Sequence, residues 1–584
     1  VFVNTNCMKK LLLSFLLFGC MVQIAAGQSR LTPIIEKPVE AIRSFQRSES
    51  RRDSILGHRL GSNSEADFKR RYLFYDSLDR ELQKIDRSKL SFDEQINLDL
   101  LRYSIEDDIY SYEFKAFLNP ILADEGFHTG LASMGSRVLS KKQEFEDYML
   151  DLKDIPRFVQ ENIALMREGL QLGICQPRAI LDGYENTYVQ HIVSDPTQSV
   201  FWKPFDKKPF GISDAEWADI STRGKEAISK YAVEGYRQIK TFFDNEYLPK
   251  TRTTIGASHF PDGLKYYQRL VQHYTTTDLT YEEVYQLGLS EVARIKKEMK
   301  EVMKQASFNG TLQDFITWLR NEPRFYASTP EQLLKEASYM AKRADGALPR
   351  FFGRLPRQPY GVEPVPAHLA PTYTAGRYAG ASINSKRAGN YWVNTFNLKS
   401  RPLYALEALT LHEAVPGHHL QISLTQELTD LPPFRRNLYV NAFGEGWGLY
   451  CEYLGTEMGF YQDPYTHFGK LTYEMWRACR LVLDVALHTK GWSREQAVQY
   501  LAENTALSLH EVNTEINRYI SWPGQALAYK MGELKIKEMR KKAEERLRDR
   551  FDIREFHDLI LSQGTVTLGI LGQMVDRYID RKLQ

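Results

Sequence analysis

Cysteine is scarce in this chain: there are five in 584 residues, and two of them, Cys7 and Cys20, fall within the first 27. The other three, Cys175, Cys451 and Cys479, cannot build a disulfide framework, and one stays unpaired in any monomer. Each lies in an apolar helical pattern, so buried thiols are expected. An excess of one charge sign is lacking too. Lys and Arg total 76 against 74 Asp and Glu, which leaves no electrostatic case for nucleic acid and no sign of substrate charge. Solenoid-period repeats and low-complexity linkers are missing. Beyond residue 27 no apolar run is long enough to span a bilayer.

The one long apolar run is at the start. From Met8, MKKLLLSFLLFGCMVQIAAG pairs two lysines with an apolar stretch and a small-residue end, the pattern of a secretory signal peptide. Residues 1–27 are expected to be removed, with 1–7 an upstream extension. The mature chain would be periplasmic or extracellular, with 74 basic residues against 74 acidic. Cys20 offers an alternative, a lipid anchor.

The rest reads as mostly α. Residues 67–85, 92–114 and 154–174 place apolar side chains at spacings of three and four. In the last of these, Asp154 reads as an N-cap and Pro156 as first-turn. Thr280-Tyr281-Glu282-Glu283 is a capping box, and Thr329-Pro330 opens another helix. A Pro- and Gly-rich stretch, 355–382, precedes GNYWVNTFNL (389–398), whose alternation reads as a strand. One small β-sheet therefore comes just before a helix starting near Pro402. A soft division near residue 250 gives an N-terminal helical subdomain, 28–250, and a second, 251–584.

That helix carries HEAVPGHH, residues 412–419. On a regular helix the residue one turn after His412 would share its face, but that position is Pro416. His419 returns to the face two turns on, about 10 Å away, and His418 lies well off it. Pro416 disfavours helix at Val415, and Gly417 tolerates unusual backbone. The segment is a metal site only if the helix is distorted over 415–417. Glu413 would then be the base for a water on the metal. The third ligand is sought in NAFGEGWGLYCEYLG (441–455), where Glu445 sits between glycines that let helices approach closely. A charge in so apolar a stretch needs a partner. Glu452, two turns on, is the alternate ligand or a carboxylate orienting a histidine, and His419 is the alternate to His418. The plain reading is a helix end with three histidines and a hydrogen-bonded core acid.

HEAVPGHHLQ, FGEGWGLY and RYISWPGQALAYKMG together resemble the bacterial family called domain of unknown function 885. The resemblance covers most of the chain. That family is similar to the helical zinc metallopeptidases, including angiotensin-converting enzyme and the thermostable carboxypeptidases. The resemblance implies a large helical fold with a central cleft, one Zn2+ (other divalent ions suit the same ligands), and His412, His418 and Glu445 as its ligands. It favours His418 over His419. It also implies that a late helix supplies substrate contacts: Tyr519 as oxyanion donor, Arg518 or Lys530 for a terminal carboxylate, and Gln525 and Tyr529 beside them. In the strand, Tyr391 and Asn394 are candidates for contacting a peptide paired along its edge.

The function expected is a secreted zinc-dependent peptidase of short peptides. A hydrolase of another amide, such as a cell-wall peptide bond, would use the same ligands. A non-catalytic peptide-binding protein on the same fold is the third possibility.

Overall fold

The computed structural model describes residues 31–367 and 369–584. The expected signal peptide, its upstream extension and Cys20 lie outside the described residues. The chain divides into two compact units, Leu31–Leu90 with Ser104–Gly263, and Ser91–Tyr103 with Leu264–Gln584. Helices of eight or more residues that bear on the argument are numbered below.

The first unit holds α1 (Pro33–Leu56), α2 (Glu65–Gln83), α3 (Lys142–Leu172), α4 (Asp214–Ala227) and α5 (Glu234–Phe242), with α4 and α5 packed on α3. The helix read over 92–114 runs Phe92–Glu113. The start read at Asp154 is corrected: α3 begins twelve residues earlier and carries Pro156 in its interior. Asp154 caps nothing there. It accepts from Leu60 N at 2.9 Å and pairs with Arg157 at 2.6 Å.

The second unit begins with α6 (Gly263–Thr275), α7 (Tyr281–Gln305), α8 (Leu312–Asn321) and α9 (Pro330–Ala347). The Thr280 capping box opens α7, and Thr329 caps α9 with Pro330 in its first turn. Three short strands follow, β1 (Tyr360–Pro364), β2 (Gly376–Ala379) and β3 (Gly389–Val393), in the order β1-β3-β2. β1 runs parallel to β3 and β2 antiparallel to it, with Tyr378 opposite Tyr391. The strand read from the sequence is therefore the central one and has no free edge. It stops at Val393 because the Asn394 side chain turns the chain away. Asn394 Nδ2 donates to the carbonyls of Ala370, Tyr373 and Thr374 at 2.9–3.0 Å, and Oδ1 accepts from Phe396 N.

The chain continues through α10 (Leu406–Glu413), α11 (His418–Glu427), α12 (Asn441–Leu454), α13 (Pro464–Thr489), α14 (Arg494–Asn504), α15 (Leu509–Ser521), α16 (Ala528–Leu547), α17 (Ile553–Leu561) and α18 (Leu568–Leu583). The fold is mostly α with one small sheet. α13 is buried from Phe468 to His488 and packs along α7. α12 lies against α16 so closely that a Cβ on Gly446 would stand 2.4 Å from Gly532 Cα, a contact only glycine permits. Cys175, Cys451 and Cys479 are buried free thiols. No helix among the described residues is long and apolar enough to cross a membrane.

Candidate metal centre

The helix that begins the HEAVPGHH segment ends inside it. α10 stops at Glu413, Ala414 leaves helical space at φ −89° and ψ −115°, and the Val415–Pro416 peptide is cis. α11 restarts at His418, with His419 N donating back to Ala414 O at 3.1 Å. Gly417 fills the tight point of this turn, where a Cβ would meet His412 O at 1.9 Å. Trp447 of α12 donates its indole N–H to Pro416 O at 2.9 Å and fastens the turn to that helix. The distortion required over 415–417 is thus a full break between two helices.

The break brings His418 to His412. Their rings are 4.8 Å apart and nearly perpendicular. Glu445 of α12 completes the group, its Oε2 lying 3.6 Å from His412 Nε2 and 3.4 Å from His418 Nε2. Donors bound tetrahedrally at zinc distances stand about 3.3 Å apart, and the two glutamate-to-histidine distances are close to that value. All three are buried, and one atom from each lies within 4.8 Å of the others. Gly448, one turn along α12 from Glu445, leaves room for the His412 ring, which a Cβ there would meet at 2.7 Å.

The surroundings orient these groups. His412 Nδ1 is 2.8 Å from Glu452 Oε1, which Arg477 Nη2 approaches at 3.3 Å. Tyr439 donates its hydroxyl to Glu445 Oε1 at 3.2 Å, leaving Oε2 toward the histidines. Burial alone would push His412 toward its neutral form, but Glu445 and Glu452 outweigh it and raise the ring to about 9. Burial likewise opposes charge on Glu445, and His418 and His412 hold it well below the usual carboxylate range. The pocket favours a positive charge between these side chains. Glu413 is buried next to it, accepts from Tyr378 N at 2.8 Å, and lies close enough for its charge to raise both His412 and Tyr439.

A family model described as bacterial protein of unknown function (DUF885) matches residues 50–575. The chain belongs to this family. Among solved structures, a candidate lipoprotein from Colwellia psychrerythraea is 27% identical, with a TM-score of 0.84 over 94% of this chain and 99% of that one. A candidate lipoprotein of unknown function from Shewanella oneidensis, 16% identical, shares the fold with a TM-score of 0.69 over 93% of this chain and 100% of its own. No curated protein matches.

The other residues singled out in this DUF885 chain separate into two groups. Arg518, Gln525 and Tyr529 come together: Arg518 Nη2 donates to Gln525 Oε1 at 2.8 Å and to the Tyr529 hydroxyl at 3.1 Å. The Tyr529 ring stacks 6.4 Å from His412, so this cluster adjoins the triad. The remaining assignments need correction. His419 faces away, its Nδ1 on the Tyr378 hydroxyl at 3.0 Å and its ring against Tyr360. Glu452 is not one of the three converging groups; it lies behind His412 on Nδ1, which corrects its reading as alternate ligand and bears out its other reading as the carboxylate that orients a histidine. Tyr519 is fully buried and takes hydrogen bonds from Trp476 Nε1 and Arg480 Nε. Lys530 is enclosed by Glu291, Glu474 and Glu533 at 2.6–3.0 Å, which consumes its donors. Tyr391 is buried against Thr410 of α10, and Asn394 is saturated by main chain. Neither is presented to a ligand.

Tyr439, Arg477 and Arg480 were not singled out from sequence. The two arginines carried a readable signal, being charges in the apolar run MWRACRLVLDVALHT, where burial demands partners. Tyr439 carried none.

Proposed function

We propose that this chain is an exported zinc-dependent peptidase of short peptides with Glu413 as its general base. The observation that carries the reading is the ligand set. Two imidazoles and one carboxylate converge, a second carboxylate follows His412 directly, and no fourth ligand joins the group among the described residues. Structural zinc sites are usually closed by four protein ligands, whereas catalytic ones keep a position open. His412, His418 and Glu445 would hold a divalent ion, which would supply polarisation of a carbonyl and easier ionisation of a water. Zinc is the first choice for two imidazoles and a carboxylate, and other divalent ions suit them too.

Glu413 is tethered through Oε2 to the Tyr378 amide, receives the proton of the attacking water, and delivers it to the departing amine. Tyr529, on the wall beside His412, replaces Tyr519 as donor to the developing oxyanion. Arg518, fixed by Gln525 and Tyr529, takes a terminal carboxylate. Peptide pairing shifts from β3 to the outer edge of β2. Asn394 N bonds Ala375 O, so by antiparallel alternation Gly376 and Tyr378 face away from β3; Tyr378 N goes to Glu413 and Gly376 O to the Thr374 hydroxyl, so Gly376 N and Tyr378 O are the groups for a peptide. The N-terminal apolar run and the lipoprotein descriptions of the two structural neighbours support export.

The test is metal content by mass spectrometry of wild type, Glu413→Gln and His418→Ala, alongside a peptide library. About one zinc in the first two, little in the third, and cleavage by wild type alone are expected. No metal in wild type after zinc is offered, or cleavage by Glu413→Gln at the wild-type rate, overturns the reading.

A further inference from the structure

The HEAVPGHH segment holds a histidine that the converging group does not use. His419 follows His418 directly and is buried, but it lies about 100° round α11 from it. Its Nδ1 is 3.0 Å from the Tyr378 hydroxyl and 3.3 Å from Ser423 Oγ. His419, Ser423 and Gln426 are spaced by four and three residues, so they share one face of α11. Gln426 extends the same contact along the chain. Its Oε1 accepts from Ile383 N at 2.7 Å, and its Nε2 donates to Ala381 O at 3.1 Å. One face of α11 therefore holds the tyrosine of β2 and the residues just after that strand.

β2 needs such a hold. It has four residues and pairs only with β3 among the described residues. Tyr378 stands opposite Tyr391 and turns its main-chain groups away from β3, so no ladder bond fixes that residue. Its N–H goes instead to Glu413 Oε2 at 2.8 Å. What remains to fix the amide is the ring at the other end of the residue. Gly389 of β3 leaves room for that ring, since a Cβ there would collide with the Tyr378 hydroxyl. The hydroxyl is in turn held by His419.

We propose that His419 is a positioning residue for the general base: it fixes the Tyr378 hydroxyl, and through that residue the amide that aims Glu413. Adjacent histidines then serve two sides of one turn. His418 faces His412 and Glu445, and His419 faces the strand that sets the base. Tyr378 O, one of the groups for a peptide, belongs to the same residue, so the contact also sets the substrate edge. The role rests on the peptidase reading, whereas the hold of α11 on β2 does not.

Three variants of the full chain separate the two. Tyr378→Phe removes only the hydroxyl, His419→Phe keeps a ring without nitrogen, and His419→Asn returns a polar group close to the place of Nδ1. Hydrogen-exchange mass spectrometry of residues 376–379, without added metal, reads the hold on β2. Zinc content and steady-state kinetics of the zinc-loaded protein read the site. Tyr378→Phe and His419→Phe should each lower protection at least about tenfold, the worth of one buried hydrogen bond, and kcat by about 10–100-fold, as displacement of a reacting group does. Zinc content should stay at the wild-type level. The double variant should be no worse than the worse single one, because both remove the same bond, and His419→Asn should recover most of the loss. Should His419→Phe fail to fold, Tyr378→Phe and His419→Asn decide the case. Wild-type turnover in Tyr378→Phe, losses that multiply in the double variant, or zinc lost from Tyr378→Phe along with turnover overturn the positioning role and leave the peptidase standing. Zinc bound by wild type without any peptide cleavage overturns the peptidase reading and the positioning role with it.

Discussion

Glu452 Oε1 lies 2.8 Å from His412 Nδ1, and the same oxygen is met by Arg477 at 3.3 Å. The carboxylate fixes which imidazole nitrogen faces Glu445 and keeps the ring from turning. Partners of this kind tune metal affinity without touching the ion. Glu452→Gln should weaken zinc binding by about 10–100-fold while His418→Ala abolishes it. Competition against a chelator of known affinity reads both. Equal affinity in wild type and Glu452→Gln would count against the orienting role.

Glu413→Gln should keep its hydrogen bond from Tyr378, since the amide oxygen accepts as the carboxylate does, and should therefore fold and hold metal as wild type does. Turnover should fall by about 10²–10⁴-fold, the range lost with a general base. Steady-state kinetics on any peptide found in the library screen gives the number. A variant with near-normal kcat would remove Glu413 from the chemistry.

Gly448→Ala tests the fit of α12 against the first ligand. Its new Cβ would lie 2.7 Å from the His412 ring, and the ring must tilt away from Glu445. The expected outcome is a folded protein with impaired zinc binding, checked by circular dichroism and metal content together.

Lys530→Met separates a structural lysine from a substrate-binding one. Removing the cation leaves Glu474 to Lys470 and Arg294, and Glu533 to Lys537, so the cost should fall toward the lower end of the about 3–5 kcal/mol that breaking a buried pair takes. Chemical denaturation should show a large loss of stability with zinc affinity unchanged. A variant of normal stability that fails only on substrates with a free carboxylate would restore the sequence-based assignment.

Asp484 gives a pH signature. Burial pushes its carboxyl up to about 7, although the Tyr267 hydroxyl and the Gly524 amide both donate to it. Unfolded, it titrates near 3.9. The folded state therefore holds a proton that the unfolded chain has lost over the interval between those values. This contribution is complete below about pH 4, declines as pH rises, and is gone above about pH 7, on the order of 4 kcal/mol in all. Glu511, also raised to about 7 by burial, acts with the same sign, so the difference between wild type and Asp484→Asn isolates Asp484. Denaturation midpoints measured from pH 4 to 8 should lie close together for the two proteins at the acid end, where Asp484 is neutral like the amide, and part toward the alkaline end as wild type alone loses stability. A parallel pair of curves would rule the effect out.

What was legible in the sequence followed from local chemistry. Glu445 stood out because a carboxylate set between glycines in the apolar stretch NAFGEGWGLYCEYLG needs a partner, and the partners are the two histidines. Capping residues placed α7 and α9, and alternation placed β3. What was not legible depended on the path of the chain after a break. Helical spacing alone placed neither His418 nor His419 beside His412, because the turn at 414–417 resets the helix phase. Tyr519 and Tyr529 flank another Pro-Gly interruption, and only the packed helices show that the second lies beside His412. Lys530 looked available because its partners Glu291 and Glu474 are distant in sequence. Strand order was hidden for the same reason: β1 inserts its pairing from the Pro-rich stretch, where no alternation marks it.

The touching backbones of Gly446 and Gly532 set how this protein would wear out. Glu445 is one residue from the first contact point and Tyr529 three from the second, so a ligand and the wall opposite it share a single weld. Heating or a bulky substitution there would not dull the site by degrees. Loss of bound ion and parting of the two helices should arrive as one event, and a population half inactivated should consist of intact molecules and failed ones, with few of middling competence.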